Sequence, residues 1–198
     1  MVGGKYGFIN ESGKLIVNPQ FDAITRAWSE DPFGDGPVGV CSGRCTVSNG
    51  RLPDGKWGYI DSNGTMVIAP QFDNAGPFRE GLAAVCVGPC DLGNGNWDGK
   101  WGYIDKTGKY VINPQFGRAL PFKEGLAVVG VGKIANYACE GKEGYIDPTG
   151  RFAINPQFDS ADSFKGGLAQ VFTPSKAPGE LKTGYIDKTG KYVWEPTR

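Results

Sequence analysis

Apolar residues along the chain occur in short runs that alternate with polar positions, and Gly, Pro or Asp ends each run. In one typical run, Trp57 and Tyr59 would point to one face of a β-strand and Ile60 to the other. Residues 61–64 have the composition of a tight turn, so residues 66–68 are predicted to return as the second strand of a hairpin. Helices are not expected, because Gly, Pro or strand-forming residues interrupt every candidate window.

A third strand is predicted where a Leu-Ala-Val pattern follows, as at residues 82–85. It would pair across a loop of variable length with the first strand of the next hairpin, so the chain would form an antiparallel meander. Between the second and third strands, Pro70 is expected to end the pairing, because proline has no N–H to donate.

The whole pattern repeats with a period of about 40 to 50 residues, which is typical of a tandem-repeat protein. The first strand and the Asp or Asn that follows it recur at residues 7–10, 58–61, 102–105, 144–147 and 184–187. A single repeat domain, 1–198, is therefore divided into repeats at approximately 5–55, 56–99, 100–141 and 142–181, followed by a half repeat at 182–198.

Each predicted unit is too thin to bury its own apolar side chains, because large apolar groups lie on both faces of the first strand. Units must therefore stack, and most of the hydrophobic stabilisation should lie between them. The predicted fold class is all-β, with about three short antiparallel strands per unit in an open solenoid or superhelical array. A small closed propeller-like ring is the alternative. The open array is favoured because the sequence starts and ends with the same half of the repeat.

Two copies of the first strand read Lys-Trp-Gly-Tyr-Ile-Asp, at residues 56–61 and 100–105, and Pro-Gln-Phe follows in four copies. This pattern resembles the bacterial WG-repeat family, also called KWG repeats, over nearly the whole chain. The resemblance implies a tandem β-repeat module of an accessory, binding type. Three copies depart from the family pattern, because Tyr6, Glu143 and Thr183 stand at the Trp position.

Composition and charge argue against several functional classes. Lys plus Arg and Asp plus Glu number 21 each, so no net field attracts nucleic acid or an anionic membrane. No apolar run approaches the roughly 20 residues that span a bilayer, so membrane insertion is not expected. The chain contains no histidine, the commonest general base, and neither an enzyme activity nor a cofactor is expected.

Recurring carboxylates are interpreted as local caps of turns and loops. They lie in the predicted hairpin turns, before glycine at Glu80 and Glu124, and after Pro-Gln-Phe at Asp22, Asp73 and Asp159. For the last group, an acidic row that binds calcium is the alternative.

Cysteine pairs occupy the same place in two successive repeats, Cys41 with Cys45 and Cys86 with Cys90, while Cys139 stands alone in the third. A disulfide within each pair is the favoured interpretation, and it would place the chain in an oxidising compartment. The alternatives are free thiols and a zinc site formed by all four paired cysteines.

Aromatic side chains are the main candidates for ligand contact. A column of them at one strand position is, however, more typical of core between repeats, and core is the favoured role for those on strands. The loops 41–55 and 86–99 are the predicted location of any specific binding surface. The candidate ligand or partner residues are Trp97, Trp28, Trp57, Trp101, Tyr59, Tyr103, Arg44 and Asn94.

These features favour a non-catalytic interaction or scaffold module of a bacterial envelope or secreted protein. One alternative is a carbohydrate- or cell-wall-binding module that uses the aromatic rows. Another is a structural subunit that self-assembles through unpaired ends. The sequence does not identify the protein or glycan partner, and an extracellular or cell-envelope location is favoured if the cysteine pairs are disulfides.

Overall fold

Small β-sheets follow one another along the chain in a computed structural model that describes residues 3–25, 35–45, 54–90, 98–132, 134–135, 138–174 and 181–197. Within these residues every regular element is a β-strand, and no helix occurs. The fold opens with a two-stranded hairpin of β1 (Tyr6–Ile9) and β2 (Leu15–Phe21). The predicted all-β fold class is confirmed.

Four sheets follow this first hairpin, and each is an antiparallel meander whose strands pair in chain order. Sheet 1 contains β3 (Ala23–Ile24), β4 (Val38–Ser42), β5 (Lys56–Ile60) and β6 (Met66–Phe72). Sheet 2 contains β7 (Asn74–Arg79), β8 (Leu82–Val87), β9 (Lys100–Ile104) and β10 (Tyr110–Phe116). Sheet 3 contains β11 (Arg118–Ala119), β12 (Ala127–Val131), β15 (Lys142–Ile146) and β16 (Phe152–Phe158). Between β12 and β15, β13 (Ile134–Ala135) and β14 (Ala138–Cys139) form a small separate hairpin. Sheet 4 contains β17 (Ser160–Ala161), β18 (Leu168–Pro174), β19 (Leu181–Asp187) and β20 (Tyr192–Thr197).

Each sheet has four strands rather than the predicted three. The additional strand follows Pro-Gln-Phe almost directly and pairs with the Leu-Ala-Val strand, as β7 pairs with β8. It is only two residues long in sheets 1, 3 and 4, which is too short to produce an alternating pattern in the sequence. The predicted pairing across the variable loop is confirmed, because β4 pairs with β5, β8 with β9, β12 with β15 and β18 with β19. Each sheet therefore joins the second half of one sequence repeat to the first half of the next.

The hairpin turns form around their Asp and Gly residues as predicted. In sheet 1, Asp61 Oδ1 accepts hydrogen bonds from the backbone N–H groups of Asn63 at 2.9 Å and Thr65 at 2.8 Å. Gly64 adopts a φ of 83°, in the left-handed region that residues with a side chain avoid. The same turn-capping contacts recur at Asp105, Asp147 and Asp187.

Pro70 lies inside a strand, so the prediction that it ends the pairing is wrong. Strand β6 continues to Phe72, which pairs with Trp57 on β5. Residues 69–71 form a bulge in the ladder, where the missing N–H of Pro70 costs no strand pairing. Because β6 is the edge strand of its sheet, a proline there also hinders pairing with another chain.

The bulge explains the glycine of the Trp-Gly motif. A Cβ atom at Gly58 would lie 2.5 Å from the Ile68 carbonyl oxygen and 2.8 Å from the Pro70 nitrogen, closer than real Cβ contacts allow. Only glycine therefore lets the first strand approach the bulged one. The same crowding is found at Gly7, Gly102 and Gly144.

The hydrophobic core lies between neighbouring sheets, as the stacking prediction requires. Between sheets 1 and 2, Tyr59 and Phe72 pack in one cluster with Phe78 and Ile104. Ile60 points to the opposite face and packs against the first hairpin. Equivalent clusters lie between sheets 2 and 3 and between sheets 3 and 4.

A buried tyrosine also ties each sheet to the next one. The Tyr59 side chain is fully buried, and its hydroxyl donates a hydrogen bond of 2.8 Å to the carbonyl of Gly76 in sheet 2. Equivalent bonds of 2.7 and 2.8 Å join Tyr103 to Leu120 and Tyr145 to Asp162. Among the residues that the structure describes, the sheets form no closed barrel and stack as an open array.

Candidate interaction surface

Two small covalent loops lie at the same strand position on neighbouring sheets. Cys41 is bonded to Cys45 and Cys86 to Cys90, with Cα atoms 6.1 and 6.2 Å apart. The predicted disulfide within each pair is confirmed. The zinc alternative is wrong for these cysteines, because sulfur atoms in disulfides are not thiolate ligands. The side chain of Cys139 lies outside the described residues.

Each disulfide loop is also closed by the backbone. The carbonyl of Arg44 accepts hydrogen bonds of 2.9 Å from the N–H groups of Asp54 and Gly55. In the second loop, the carbonyl of Pro89 accepts equivalent bonds from Asp98 and Gly99, at 3.2 and 3.0 Å. The chain therefore returns to the same point on both sheets, whatever the length of the segment between.

The carboxylate of Asp22 joins the first disulfide loop to the first hairpin. Asp22 Oδ1 accepts a hydrogen bond of 2.5 Å from the Lys5 ammonium of the first hairpin, and Oδ2 accepts one of 2.9 Å from the N–H of Gly43 in sheet 1. The Lys5 hydrogen bond is the main reason that the pKa of Asp22 lies below its ordinary value.

The same arrangement holds the second loop. Asp73 bonds to Lys56 of sheet 1 and accepts a hydrogen bond of 2.8 Å from the N–H of Gly88 in sheet 2. The interpretation of these aspartates as local caps is wrong, since their partners are 15 to 21 residues away in the sequence and lie in successive sheets. Asp159 pairs with Lys142 in the same way. Nor is a free acidic row left for calcium, because each of the three carboxylates has a lysine partner.

Apolar residues are exposed at the same end of the Leu-Ala-Val strands in sheets 2 and 3. Val87, at the end of β8, is 43% exposed, and Val131, at the end of β12, is 46% exposed. Trp101, at the start of β9, is partly exposed and packs on its other side against the core between sheets 2 and 3. These residues, with the disulfide loops 41–45 and 86–90, are called the loop-end surface below.

Three of the residues predicted to contact a ligand are buried in the structure. Tyr59 and Tyr103 are fully buried between sheets, and Trp57 is buried beside Cys41. These three side chains are core and are not accessible to a ligand, which corrects their inclusion in the candidate surface. The sequence pattern could not distinguish the two roles, because the same alternation places an aromatic residue on either an open or a covered face.

The remaining candidates are placed as follows. Arg44 is at the loop-end surface, where its guanidinium forms a 2.6 Å ion pair with Asp54. Trp28, Trp97 and Asn94 lie outside the described residues.

In sheet 3 the Trp position carries a buried glutamate that is paired with a partly exposed arginine, a pair that sequence reasoning missed. Glu143, at the Trp position, is buried and bonds to the guanidinium of Arg118. Its second oxygen accepts a hydrogen bond of 2.7 Å from the N–H of Ala161 in sheet 4. The sequence signal for this ion pair was the basic residue at position 118, where the other copies carry Asn, Ser or Ala.

At the opposite end of the sheets, glutamates join successive turns. Glu80 accepts a 2.9 Å hydrogen bond from the N–H of Gly125, 45 residues away. Glu124 accepts bonds of 2.6 and 2.9 Å from Gly166 and Gly167, and the Gly167 bond is the main cause that lowers the pKa of Glu124. The interpretation of these glutamates as local caps is therefore also wrong, because each one bonds to the next unit.

Stacked antiparallel sheets with a core between them, joined by the same contacts at every step, define a tandem-repeat protein. The family model described as WG containing repeat matches residues 6–31, 57–89, 101–133 and 144–173, which is more than half of the chain. The chain therefore belongs to the WG containing repeat family, as the sequence motifs predicted. A comparison with curated proteins found no match.

The described residues lack two further features. None of their elements is a helix long and apolar enough to cross a membrane. They also contain no group of three or more His, Cys, Asp or Glu side chains with the arrangement of a metal site.

Proposed function

We propose that this chain is a non-catalytic interaction module in which the stacked sheets act as a scaffold and the loop-end surface binds a partner protein. The observation that carries the proposal is the repetition of one covalent loop, with the same backbone closure, on two neighbouring sheets. Loops positioned by a rigid framework are the usual location of binding residues.

Rigidity supports this role. The disulfides, the backbone closure and the Asp22 and Asp73 bridges fix both loops relative to the sheets beneath them. A surface that is ordered before binding loses less conformational entropy when a partner docks. The variable segments between the strands can then differ in sequence without disturbing the scaffold.

The chemistry of the described surface suits a protein partner. Exposed Val87 and Val131 supply apolar contact, and Trp101 supplies an aromatic edge. Glycan binding through an aromatic ladder has less support, because Tyr59 and Tyr103 are buried. Apolar and aromatic residues beside a polar rim are the usual composition of a protein interface.

We also propose an extracellular or cell-envelope location. Disulfides persist in oxidising compartments and are rare in the cytosol. The two bonds at Cys41–Cys45 and Cys86–Cys90 support this location.

Site-specific photo-crosslinking tests the interaction role. A photoreactive amino acid at position 87 is compared with one at Val67, which is similarly exposed on the edge strand β6. We expect one adduct of reproducible mass at position 87 in the native host and none at position 67. The partner identified in this adduct is then purified for binding measurements.

The affinity of the chain for the purified partner is then measured for the wild type and for surface variants. We expect Val87→Asp combined with Val131→Asp to weaken binding by about tenfold or more, and Val67→Asp to leave the Kd unchanged. Equal adducts at both positions, no adduct at either, or equal affinities of the three chains would contradict the proposal.

A further inference from the structure

One contact is repeated at each boundary between sheets. The turn glycine of one sheet lies on the isoleucine of the preceding sheet, so that a Cβ atom at Gly108 would be 3.1 Å from Ile68. The distances are 3.2 Å for Gly150 on Ile112 and 3.1 Å for Gly190 on Ile154. Beside this contact lies the isoleucine that precedes the turn Asp. It is fully buried against the preceding sheet in all three cases, Ile104, Ile146 and Ile186.

The first hairpin presents the same two elements without a cover. Ile9, which corresponds to the buried Ile104, is 64% exposed. Gly13, which corresponds to Gly108, has no atom within 4 Å of the position of an added Cβ. This end of the described array is therefore shaped like the face that every internal sheet places on its predecessor.

The last sheet presents the complementary face. Tyr185, which corresponds to the fully buried Tyr59 and Tyr103, is 38% exposed. Trp194 stands at the position of Ile154 and is 47% exposed, with its ring 5.9 Å from that of Tyr185. Internal sheets cover these positions with the turn glycine and the isoleucine of the following unit.

We propose that these two end faces bind each other, so that copies of the chain associate head to tail. The occupant of the Tyr185 and Trp194 face is the Ile9 and Gly13 hairpin of a second copy. This contact would continue the internal boundaries, where the same pair of faces is already packed four times, between the first hairpin and sheet 1 and between each two successive sheets. Because Gly13 has no side chain, the flat indole of Trp194 can lie against the turn.

The composition of the end face sets the strength of this contact. Gln170 stands on β18 where sheet 3 has the buried Val128, and Thr183 stands at the Trp position. The intermolecular contact buries less apolar surface than an internal boundary, so we expect reversible association. A contact between two different faces leaves one free face at each end of an oligomer, so further copies can add until the rotation closes a ring.

This inference goes beyond the proposed interaction role, because it uses the ends of the array and leaves the loop-end surface free. Head-to-tail association would bring the disulfide loops of several copies into one oligomer. A partner could then contact several copies at once, with the gain in avidity that linked sites provide.

Sedimentation velocity of the 198-residue chain from micromolar to millimolar concentration tests the proposal. We expect the wild-type chain to form oligomers as its concentration rises. Ile9→Asp alone and Trp194→Asp alone should each remain monomeric, because each loses one of the two faces. Both positions are exposed, and circular dichroism checks that the variants keep the wild-type fold.

Sedimentation of an equimolar mixture of the two variants is the decisive experiment. Each retains one intact face, so an equimolar mixture should form a dimer and nothing larger. Val111→Asp is the control, since Val111 is 45% exposed, close to the 47% of Trp194, and lies on the edge strand β10 away from both ends; it should associate like the wild type. A wild-type chain that stays monomeric at all concentrations, variants that still oligomerise, or a mixture that stays monomeric would overturn the proposal.

Discussion

Single residues in this protein are best explained by the neighbouring unit or strand that they meet. The glycine of the Trp-Gly motif is required by the proline bulge of the paired strand, and not by a turn of its own. The turn aspartates are explained locally, because their partners lie two and four residues further along the chain. The buried tyrosines and the bridging glutamates, by contrast, have partners in the next sheet.

The first prediction concerns Gly102. A Cβ atom there would lie 2.5 Å from the Ile112 carbonyl oxygen and 2.7 Å from the Pro114 nitrogen. We expect Gly102→Ala to lower the free energy of unfolding by about 3 kcal/mol, as overpacking against backbone does. Gly76→Ala is the control, because its Cβ would meet only ordinary contacts, the nearest at 3.4 Å. Urea unfolding measures both, and an equal loss in the two variants would refute the bulge explanation.

The second prediction concerns the pair of the partly exposed Arg118 and the buried Glu143. Arg118→Ala leaves the Glu143 carboxylate buried without its cation, and we expect a loss of about 3 kcal/mol in unfolding free energy. The double variant with Glu143→Ala should lose less than the sum of the two single variants. Arg79→Ala removes the more exposed pair with Asp35 and should cost less than about 1 kcal/mol. Additive losses at 118 and 143 would show that the two residues do not act together.

At the scale of strands and loops, the sequence predicted those elements whose signals are local. The hairpins, their turns and the two disulfides follow from residues close together in the chain. The two-residue strands β3, β11 and β17 were missed, because their existence depends on a partner strand and not on their own pattern. For the same reason, the inter-sheet roles of Asp22 and Glu80 were mistaken for local caps.

The third prediction concerns the second disulfide loop. Removal of this bond by Cys86→Ala combined with Cys90→Ala should lower the unfolding free energy by about 2 kcal/mol. The loss is modest because the bond closes only a short loop and so restricts the unfolded chain little. Thermal unfolding with and without reductant measures the effect. Reductant should lower the melting temperature of the wild type by more than that of the variant, which retains only the Cys41–Cys45 bond. An identical response of the two chains would contradict a stabilising role for the bond.

The fourth prediction concerns acid stability at the turn end of the sheets. Backbone hydrogen bonds to the Glu124 carboxylate hold its pKa below the ordinary value of 4.5. Since the folded pKa is lower than the unfolded one, the stabilisation is complete at neutral pH and is lost as the pH falls through the folded pKa. We expect Glu124→Gln to reduce the dependence of unfolding free energy on pH below about pH 5. The exposed Glu11→Gln variant is the control, and equal pH profiles of the two variants would argue against the bridge.

At the scale of the whole molecule, the core is shared between sheets, so no sheet buries its apolar side chains alone. The sequence indicated this dependence, because the first strand carries large apolar groups on both faces. The candidate surface was harder to predict. Whether an aromatic side chain lies in core or on the surface depends on which face the next unit covers, as the buried Tyr59 and the exposed Tyr185 at the same repeat position show.

The stability of one sheet compared with that of the array is the most direct test of this account. Urea unfolding would be measured for residues 73–117 alone, for residues 23–158, and for the whole chain. We expect the single sheet to show no cooperative transition and the urea midpoint to rise with the number of sheets, as nearest-neighbour stabilisation requires. A single sheet that unfolds cooperatively at the midpoint of the whole chain would contradict the central claim that neighbouring units supply the core.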